Sequence, residues 1–501
     1  MFRQTALTNI DSYKLGHAVM YPKGTTRVYA NFTPRSMSHF SVAPEYKADN
    51  TIVWFGLQGF LHELKEIWQT TFFDLDVETV VKEFEEFVAP FVGPRGFNST
   101  SIRNLHKLGF LPLKIKALPE ASRVPIGVPV LTITNTVDEF FWLPNYLETW
   151  LSAELWKSST SATTAAVYRR IINHYAELTG GNKDFTALQA HDFSVRGMSG
   201  IVDAAKSGAG HLLSSIGTDN LPAVKNVNDN YHGKLTFVGC SVPATEHSVM
   251  SSSSSDAELD TYRYILSQYP SGIVSIVSDT YDFFRVITEY ATILKPEILA
   301  RTPDSLGLAK TVFRPDSGDP VLIICGDPAA DVGSPQFKGA VECLWDVFGG
   351  TTNDKGFRTL NQFVGLIYGD SITPARAEAI FQRLMAKGFA SDNIVFGVGS
   401  YTYQYVTRDT MGFAMKATYR ETNGVAQAIF KDPVTDSGTK KSARGLLFVG
   451  KNGASGRYEL ADQVSVAKEE GGFLDIVFLD GNVLVDETFE TLRNRLASYG
   501  G

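Results

Sequence analysis

One pattern recurs in IVSIVSDTYD (273–282), TVFRPDSGDP (311–320) and FVGLIYGD (363–370). Each stretch is a short apolar run that ends abruptly in polar residues or glycine. Continuous apolar runs of this length are typical of strands buried on both faces, as in a parallel sheet or barrel. The pattern therefore predicts an α/β fold whose polar residues lie at the carboxyl-terminal rim of the strands, where such folds carry their chemistry.

The same pattern extends outward in both directions along the chain. It recurs where ALQA precedes His191-Asp192, where LTFVG precedes Ser241 to His247, and where NIVF precedes Gly397 to Ser400. Helical patterns usually follow these runs. We therefore expect a catalytic α/β barrel formed by residues 1–30 and 150–415.

The flanking segments have a different character. WFGLQGFLHELKEIW (54–68) has helical periodicity, and a second helical pattern around 77–89 is expected to stop at Pro90. FLDIVFLDGNVLVD reads as a hairpin that turns at Asp480-Gly481. These segments predict a smaller α+β satellite domain formed by residues 31–149 and 416–501.

Composition excludes several classes of protein. The 501 residues carry a formal net charge of -8, which argues against bulk electrostatic binding of nucleic acid. Three cysteines without CxxC spacing argue against a disulfide framework or a structural zinc site. The first residues lack an apolar signal region, and no apolar run is long enough to span a membrane. We expect a cytoplasmic protein.

The rim residues Asp279, Arg314, Asp316 and Asp370 are the first candidates for a site. Carboxylates placed there can accept hydrogen bonds from ribose hydroxyls or hold a hydrated magnesium ion. Arginine can stack on a flat ring or neutralise phosphate. A single Asp after a strand is commonly an ordinary turn or cap residue. Three at matching places favour a sugar-phosphate site.

Other candidates follow the remaining apolar runs. His247, beside Glu246, is a candidate general base or phosphate acceptor, although a capping or packed histidine is equally plausible. Phe193 can stack on an aromatic substrate, with ordinary core packing as the alternative. Arg196 can meet a phosphate, and Asp219 can accept from an amide or cap the next segment.

Glycine motifs give a weaker signal. Gly397-Val-Gly399-Ser400 after a strand can form a backbone nest for phosphate or a plain tight turn. The chain has neither a GxxxxGK[ST] loop nor a full GxGxxG, so ATP or NAD binding by those routes is not supported.

Together these blocks resemble the nicotinamide phosphoribosyltransferases, type II phosphoribosyltransferases of NAD salvage. The resemblance runs nearly end to end. The blocks are DSYKLGH (11–17), YANFTPR (29–35), HDFSVRG (191–197), GTDN (217–220), SVPATEHS (241–248), SIVSDTYD (275–282), FRPDSGDP (313–320), YGDSI (368–372), VFGVGS (395–400), TRD (407–409) and IFKDPV (429–434).

The resemblance implies an irregular α/β barrel and a reaction of nicotinamide with 5-phosphoribosyl pyrophosphate, giving nicotinamide mononucleotide and pyrophosphate. It also implies Mg²⁺, ATP as co-substrate, phosphorylation of a histidine, and a homodimer with shared active sites. The resemblance assigns each candidate residue a contact. The pyridine ring would contact Phe193, Arg314 and Tyr13 of a partner subunit, and its carboxamide would contact Asp219. The ribose would contact Asp279, Asp316, Gly369 and Asp370, and the phosphate end would contact Arg196, Gly399 and Ser400. Pyrophosphate or ATP would contact Arg35, Arg408, Lys416 and Lys431, and His247, oriented by Glu246, would be phosphorylated.

The chain departs from the family pattern at Ser400, where glycine is common, at Val195, where an aromatic residue is common, and in the run Ser251–Ser255. Lys440 and Lys441 align ambiguously and receive no role.

A nicotinate phosphoribosyltransferase is the nearest alternative. A metal-dependent barrel lyase or hydrolase would require His and carboxylate clusters such as HExxH, which the chain lacks. A non-catalytic binding protein on the same fold would not need the full set of rim residues.

Overall fold

The computed structural model describes residues 3–93, 96–431 and 443–499. The chain divides into two compact units, the first formed by Met1–Thr163, Asn226–Thr236 and Val406–Gly500, the second by Thr164–Lys225 and Phe237–Tyr405. Lys440 and Lys441 lie outside the described residues. Within the described residues, no helix is both long and apolar enough to cross a membrane.

The second unit is organised around a six-stranded parallel sheet. Its strands are β1 (Ala190–Asp192), β2 (Gly217–Thr218), β3 (Val274–Val277), β4 (Thr311–Arg314), β5 (Val364–Tyr368) and β6 (Val395–Val398). The spatial order is β2-β1-β6-β5-β4-β3, and every pairing is parallel. The predicted α/β architecture with a parallel sheet is confirmed.

An irregular segment closes the sheet into a barrel. Cys240 bridges Gly217 at the β2 edge, and Ala244 bridges Ser275 at the β3 edge, both in parallel orientation. The sequence predicted a regular strand in LTFVG (235–239), and this prediction is wrong, because Leu235 ends a 3-10 helix and the isolated bridges form only beyond this stretch. Pro243 has no backbone N–H to donate, which limits the ladder that this segment can form.

The first unit contains a seven-stranded antiparallel sheet. Its strands, in spatial order, are Val425–Ala428, Ala414–Thr422, Thr25–Thr33, Leu131–Asn135, Leu113–Ala117, Asp475–Leu479 and Asn482–Val483. The predicted boundaries assigned residues 1–30 to the barrel. The structure groups them with this sheet instead, because Thr25–Thr33 pairs with Ala414–Thr422 and Leu131–Asn135.

The remaining strands in the described residues form three two-stranded antiparallel sheets. They pair Thr51–Val53 with Arg123–Pro125, Leu446–Lys451 with Tyr458–Val464, and Gly350–Thr352 with Arg358–Leu360. The longer helices are Leu57–Trp68, Val77–Val92, Ser99–Leu108, Glu148–Thr179, Ile201–Leu212, Leu221–Asn230, Glu258–Gln268, Ala291–Leu299, Ala340–Phe348, Pro374–Ala386 and Phe489–Ala497. Shorter helices are His17–Met20, Leu143–Tyr146, His247–Met250, Phe283–Arg285, Pro320–Cys325, Pro335–Lys338, Ser400–Tyr403 and Val466–Glu470.

Two local predictions can be compared directly with the structure. The hairpin turn at Asp480-Gly481 is confirmed, with φ of 46° and 81° at its two central residues, as a type I′ turn requires. The expected end of a helix at Pro90 is wrong, because that helix continues to Val92. Pro90 lies in the last turn, where one missing hydrogen bond and one crowded carbonyl disturb little of the helix.

Candidate active site at the barrel rim

Three neighbouring strands bring the predicted rim residues together. Asp279 follows β3, Arg314 ends β4 with Asp316 just beyond, and Asp370 follows β5. Because β5, β4 and β3 are adjacent and parallel, their carboxyl ends meet at one edge. Asp279 accepts from the Asp316 backbone N–H at 3.0 Å, Arg314 Nε lies 3.6 Å from Asp316 Oδ1, and Asp370 is near enough to act on the charge of Asp316.

Asp279 links the rim to His247. One carboxylate oxygen, Oδ1, lies 3.1 Å from His247 Nε2, and the other accepts from the Asp316 backbone N–H at 3.0 Å and from Ser317 Oγ at 2.5 Å. The Asp279 side chain is 5% exposed, whereas that of His247 is 52% exposed. A buried carboxylate therefore holds an imidazole that solvent or a ligand can reach.

The structure gives Glu246 a different neighbour from the predicted one. Its carboxylate accepts a hydrogen bond from Ser248 Oγ, and Asp279 is the residue that holds His247. The orientation of His247 by Glu246 stays a prediction.

Arg314 and Asp316 form a pair with unused hydrogen-bonding capacity. Arg314 Nε lies 3.6 Å from Asp316 Oδ1, a distance suited to an ion pair but too long for a hydrogen bond. Both atoms are buried without a hydrogen-bond partner among the described residues. Buried polar atoms normally have partners, so these two mark a candidate position for binding a polar ligand. Burial raises the pKa of Asp316, with Arg314 opposing the shift and Asp279 adding to it.

Gly369 leaves the space that Asp316 occupies. A Cβ at this position would overlap Asp316 Oδ1 and approach the Arg314 side chain. The backbone N–H of Gly369 donates to the Pro315 carbonyl at 3.1 Å, which joins β5 to the RPD segment. Glycine is therefore required here by the packing of the carboxylate.

The Phe193 ring and the Arg314 guanidinium, together called the ring site, adjoin the rim. The Arg314 guanidinium lies 5.9 Å from the centre of the Phe193 ring, and its Nη2 donates to the Thr245 carbonyl at 2.6 Å. The Phe193 ring packs so closely on Gly397 that a Cβ there would clash with it. Phe193 is half-buried at this edge, whereas a residue of the ordinary core would be fully buried.

Asp219 lies beside the same ring site. Its Oδ1 accepts from His191 Nε2 at 2.9 Å and from Ser241 Oγ. Burial opposes ionisation of Asp219, but the hydrogen bonds from His191 and Ser241, with the charge of Arg314, outweigh it and lower its pKa. The carboxylate is therefore an anion and a ready hydrogen-bond acceptor. Residue patterns in the sequence did not single out His191 or Ser241 for this role, although both belong to the quoted blocks.

Asp192 fixes the two loops that carry these groups. Its fully buried carboxylate accepts from the Ser194 N–H at 2.9 Å and from Asn220 Nδ2 at 3.0 Å, and its carbonyl accepts from the Asp219 N–H at 3.0 Å. Charge-assisted bonds of this kind are strong when they are buried. They hold Phe193 and Asp219 in register with β1 and β2.

The predicted phosphate end lies on adjoining loops of the same unit. Arg196 is exposed in the turn Val195–Gly197, and a Cβ at Gly197 would crowd Ser400. Gly399 precedes the short helix Ser400–Tyr403 and has open space around it. The loops that bear Arg196 and Ser400 are thus in contact, as the predicted roles require.

The predicted basic residues cluster in the first unit. Burial lowers the pKa of Lys416, and the positive charges of Arg35, Lys431 and Arg408 lower it further, while Glu148 opposes the shift. Their spacing along the sequence showed no common helical face, but the fold brings them together. Tyr13, in the same unit, has a 60% exposed ring with Lys14 Nζ at 5.0 Å from its centre.

A cavity of about 780 Å³ leads from the ring site into the barrel. Its near end is lined by His191, Phe193, Asp219 and Ser241, and its far end includes Lys310. Within the described residues, no group of three or more His, Cys, Asp or Glu side chains is placed to hold a metal ion.

Two family models match the chain. The nicotinate phosphoribosyltransferase (NAPRTase) family model matches residues 188–471, and the model of the nicotinamide phosphoribosyltransferase N-terminal domain matches residues 5–105. The nicotinamide phosphoribosyltransferase of Acinetobacter baylyi is 55% identical over 498 residues, which cover 99% of this chain and 98% of that protein. The nicotinamide phosphoribosyltransferase of Xanthomonas campestris pv. campestris is 35% identical, with 97% of each chain covered.

Solved structures show the same fold at lower identity. Nicotinate-nucleotide pyrophosphorylase from Pyrococcus furiosus has a TM-score of 0.56 at 14% identity, covering 99% of this chain and 97% of that chain. Human nicotinic acid phosphoribosyltransferase has a TM-score of 0.53 at 15% identity, covering 97% and 92%. The chain therefore belongs to the nicotinate phosphoribosyltransferase family and carries the amino-terminal domain of the nicotinamide phosphoribosyltransferases.

Proposed function

We propose that this protein is a cytoplasmic nicotinamide phosphoribosyltransferase that joins nicotinamide to 5-phosphoribosyl pyrophosphate. The observation that carries the proposal is the position of Arg314. Its guanidinium lies 5.9 Å from the Phe193 ring centre, and its Nε lies 3.6 Å from Asp316 Oδ1, which makes no hydrogen bond among the described residues. One side chain would therefore join a site for a flat ring to a site for sugar hydroxyls. The relatives named above support nicotinamide as the base.

At the ring end, the pyridine would lie on Phe193, with Tyr13 of the partner subunit on its other face. The Asp219 carboxylate would accept a hydrogen bond from the carboxamide NH2. The exposed ring of Tyr13 is consistent with a contact supplied to a second copy, as a homodimer with shared sites requires. Holding the ring nitrogen in line with the ribose C1 contributes to catalysis by positioning.

At the sugar end, Asp279 and Asp316 would accept from the ribose hydroxyls, with Gly369 and Asp370 beside them. The pyridine nitrogen forms a bond to C1 as the bond from C1 to the pyrophosphate oxygen breaks, and the electron pair leaves with pyrophosphate. Positive charge develops on the ribose ring, so nearby carboxylates stabilise the transition state.

At the phosphate end, Arg196, Gly399 and Ser400 would hold the 5′-phosphate. Arg35, Arg408, Lys416 and Lys431 would contact pyrophosphate or the ATP phosphates. Magnesium bound mainly through these phosphates would neutralise charge on the departing pyrophosphate. The positive charges of Arg35, Lys431 and Arg408 act on Lys416, and such a concentration of positive charge supports a common polyanionic ligand.

His247 would accept the terminal phosphoryl group of ATP on an imidazole nitrogen, releasing ADP, and water would later cleave the phosphohistidine. The contact of its Nε2 with Asp279 and the 52% exposure of its side chain support this role. The added negative charge would order magnesium and pyrophosphate, and ATP hydrolysis would thereby drive the synthesis.

A product assay tests the function. Purified protein is offered nicotinamide or nicotinate, with 5-phosphoribosyl pyrophosphate and magnesium, in the presence and absence of ATP. We expect nicotinamide mononucleotide from nicotinamide, stimulation by ATP, and little product from nicotinate. Preferential use of nicotinate would replace the proposal with a nicotinate phosphoribosyltransferase, and no turnover of either base would favour a non-catalytic protein.

Asp219→Asn is expected to weaken the preference for nicotinamide. An anion facing the carboxamide is favourable, whereas the same anion repels the carboxylate of nicotinate. We expect the ratio of kcat/KM for nicotinamide to that for nicotinate to fall roughly 10- to 50-fold. Asp354→Asn, at an exposed position of the same unit, serves as the control. An unchanged ratio would show that Asp219 does not face the base.

His247→Ala is expected to abolish stimulation by ATP while leaving slow synthesis that does not depend on ATP. The imidazole is needed only for the phosphoryl step, whereas the ring and ribose contacts remain. Acid-labile phosphate from radiolabelled ATP should appear on the parent protein and be absent from the variant. Retention of full ATP stimulation by His247→Ala would refute the phosphohistidine.

A further inference from the structure

His191 holds one specific oxygen of Asp219. Its Nε2 lies 2.9 Å from Asp219 Oδ1, and the Ser241 hydroxyl donates to the same oxygen. Asp219 Oδ2 has no hydrogen-bond partner within the part of the chain that the structure describes. Because two donors occupy Oδ1, Oδ2 remains as the acceptor that a ligand can use.

The imidazole itself is held from two sides. A Cβ on Gly217 would lie 2.8 Å from His191 Nδ1, so only glycine allows β2 to approach the ring this closely. On another side the Phe193 ring centre lies 4.8 Å away, with the two planes inclined at 49°. His191 thus contacts both the residue that would stack on the pyridine and the residue that would read its substituent.

We propose that His191 is a positioning residue for the choice of base, and that protonation of its imidazole reduces the preference for nicotinamide. The inference rests on the proposed function. Neutral His191 keeps Asp219 fixed as an anion, which accepts from a carboxamide and repels a carboxylate. Protonated His191 forms an ion pair with Asp219 and weakens the repulsion, so nicotinate is excluded less well.

Several charged or titratable groups surround His191 and influence the charge of the His191–Asp219 pair. Asp219 is its direct partner, and the Arg314 charge acts on Asp219. On the buried side, His211 lies within electrostatic range of both His191 and Asp192, and burial lowers the pKa of His211. Histidine is the side chain that ordinarily changes charge between about pH 5 and 8. In the proposal, a change of charge on His191 acts directly on the carboxylate of Asp219, its hydrogen-bond partner.

The test compares His191→Gln and His191→Ala with the parent enzyme. The ratio of kcat/KM for nicotinamide to that for nicotinate is measured between about pH 6 and 8.5, a range that covers histidine titration. We expect the parent ratio to fall roughly five- to tenfold toward the acidic end. Glutamine can donate from nearly the same position but carries no charge, so His191→Gln should keep a high ratio that does not change with pH.

His191→Ala should lower the ratio roughly tenfold at about pH 8, mainly through a higher KM for nicotinamide, because Asp219 loses one of its two anchors. In the Asp219→Asn background, neither His191 substitution should change the ratio further, since the effect acts through the carboxylate. If His191→Ala does not fold, as judged by its melting temperature, His191→Gln still gives the pH comparison.

Two results would overturn the inference: a parent ratio that is constant across this range, or a pH dependence that persists in His191→Gln. Turnover of nicotinamide by the parent protein tests the proposed function separately. If turnover is absent, equilibrium binding of nicotinamide and of nicotinate to the same variants, measured by calorimetry, decides the role of His191 on the same criteria.

Discussion

Asp316→Asn is expected to lower kcat/KM for 5-phosphoribosyl pyrophosphate roughly 10²- to 10³-fold, the cost typical of removing one preorganised electrostatic contact. Asparagine preserves the shape of the side chain but removes its charge. Oδ1 of Asp316 is buried and makes no hydrogen bond in the part of the chain that the structure describes. The carboxylate is therefore positioned for a group that arrives with the substrate.

The fold should tolerate this change. The backbone N–H of Asp316, which donates to Asp279 Oδ2, is unaffected by the substitution. We expect a melting temperature close to that of the parent protein. Asp331→Asn, at an exposed position of the same unit, is the matched control and should retain parental activity. Parental kcat/KM in Asp316→Asn would remove this residue from the proposed ribose site.

The pH dependence of the parent gives an independent measurement. Burial, reinforced by Asp279, raises the pKa of Asp316 above the ordinary range for aspartate. If the ionised form is the active one, activity is lost as the pH falls through this raised pKa. The acidic limb of the kcat/KM profile should therefore lie at a higher pH than an ordinary aspartate would give. In Asp316→Asn this contribution should disappear.

The positions of the rim residues could be predicted from the sequence because each depends on a pattern within one short stretch. An apolar run ending at Asp279, Arg314 or Asp370 predicts both a buried strand and the end at which the polar group emerges. The parallel pairing of β3, β4 and β5 then brings these ends together.

Contacts between segments far apart in the sequence could not be predicted from patterns within single stretches. The cluster of Arg35, Arg408 and Lys416 arises from the pairing of Thr25–Thr33 with Ala414–Thr422, which no periodicity predicts. The predicted orientation of His247 by Glu246 stays a prediction. The contact of His247 with Asp279, 32 residues away along the chain, is one that adjacency in the sequence does not indicate.

Gly369→Ala is expected to lower kcat/KM roughly 10²-fold or more, although the substitution adds only a methyl group. The new Cβ would overlap Asp316 Oδ1 and approach the Arg314 side chain. The carboxylate must then move, and a displacement of about 1 Å at a reacting centre costs roughly 10²-fold in rate. The position has no positive φ, so backbone strain adds nothing to the effect.

Gly453→Ala is the matched control, because nothing lies within 4 Å of a Cβ at that position and its φ is not positive. Melting temperature and kcat/KM should both be measured for the two variants, and kcat/KM should differ far more than melting temperature. Asp316 can swing toward solvent in Gly369→Ala, so we expect a modest loss of melting temperature beside a large loss of kcat/KM. If Gly369→Ala instead keeps the parental kcat/KM, the position of the Asp316 carboxylate does not limit catalysis, and the low activity expected of Asp316→Asn would have to come from charge alone.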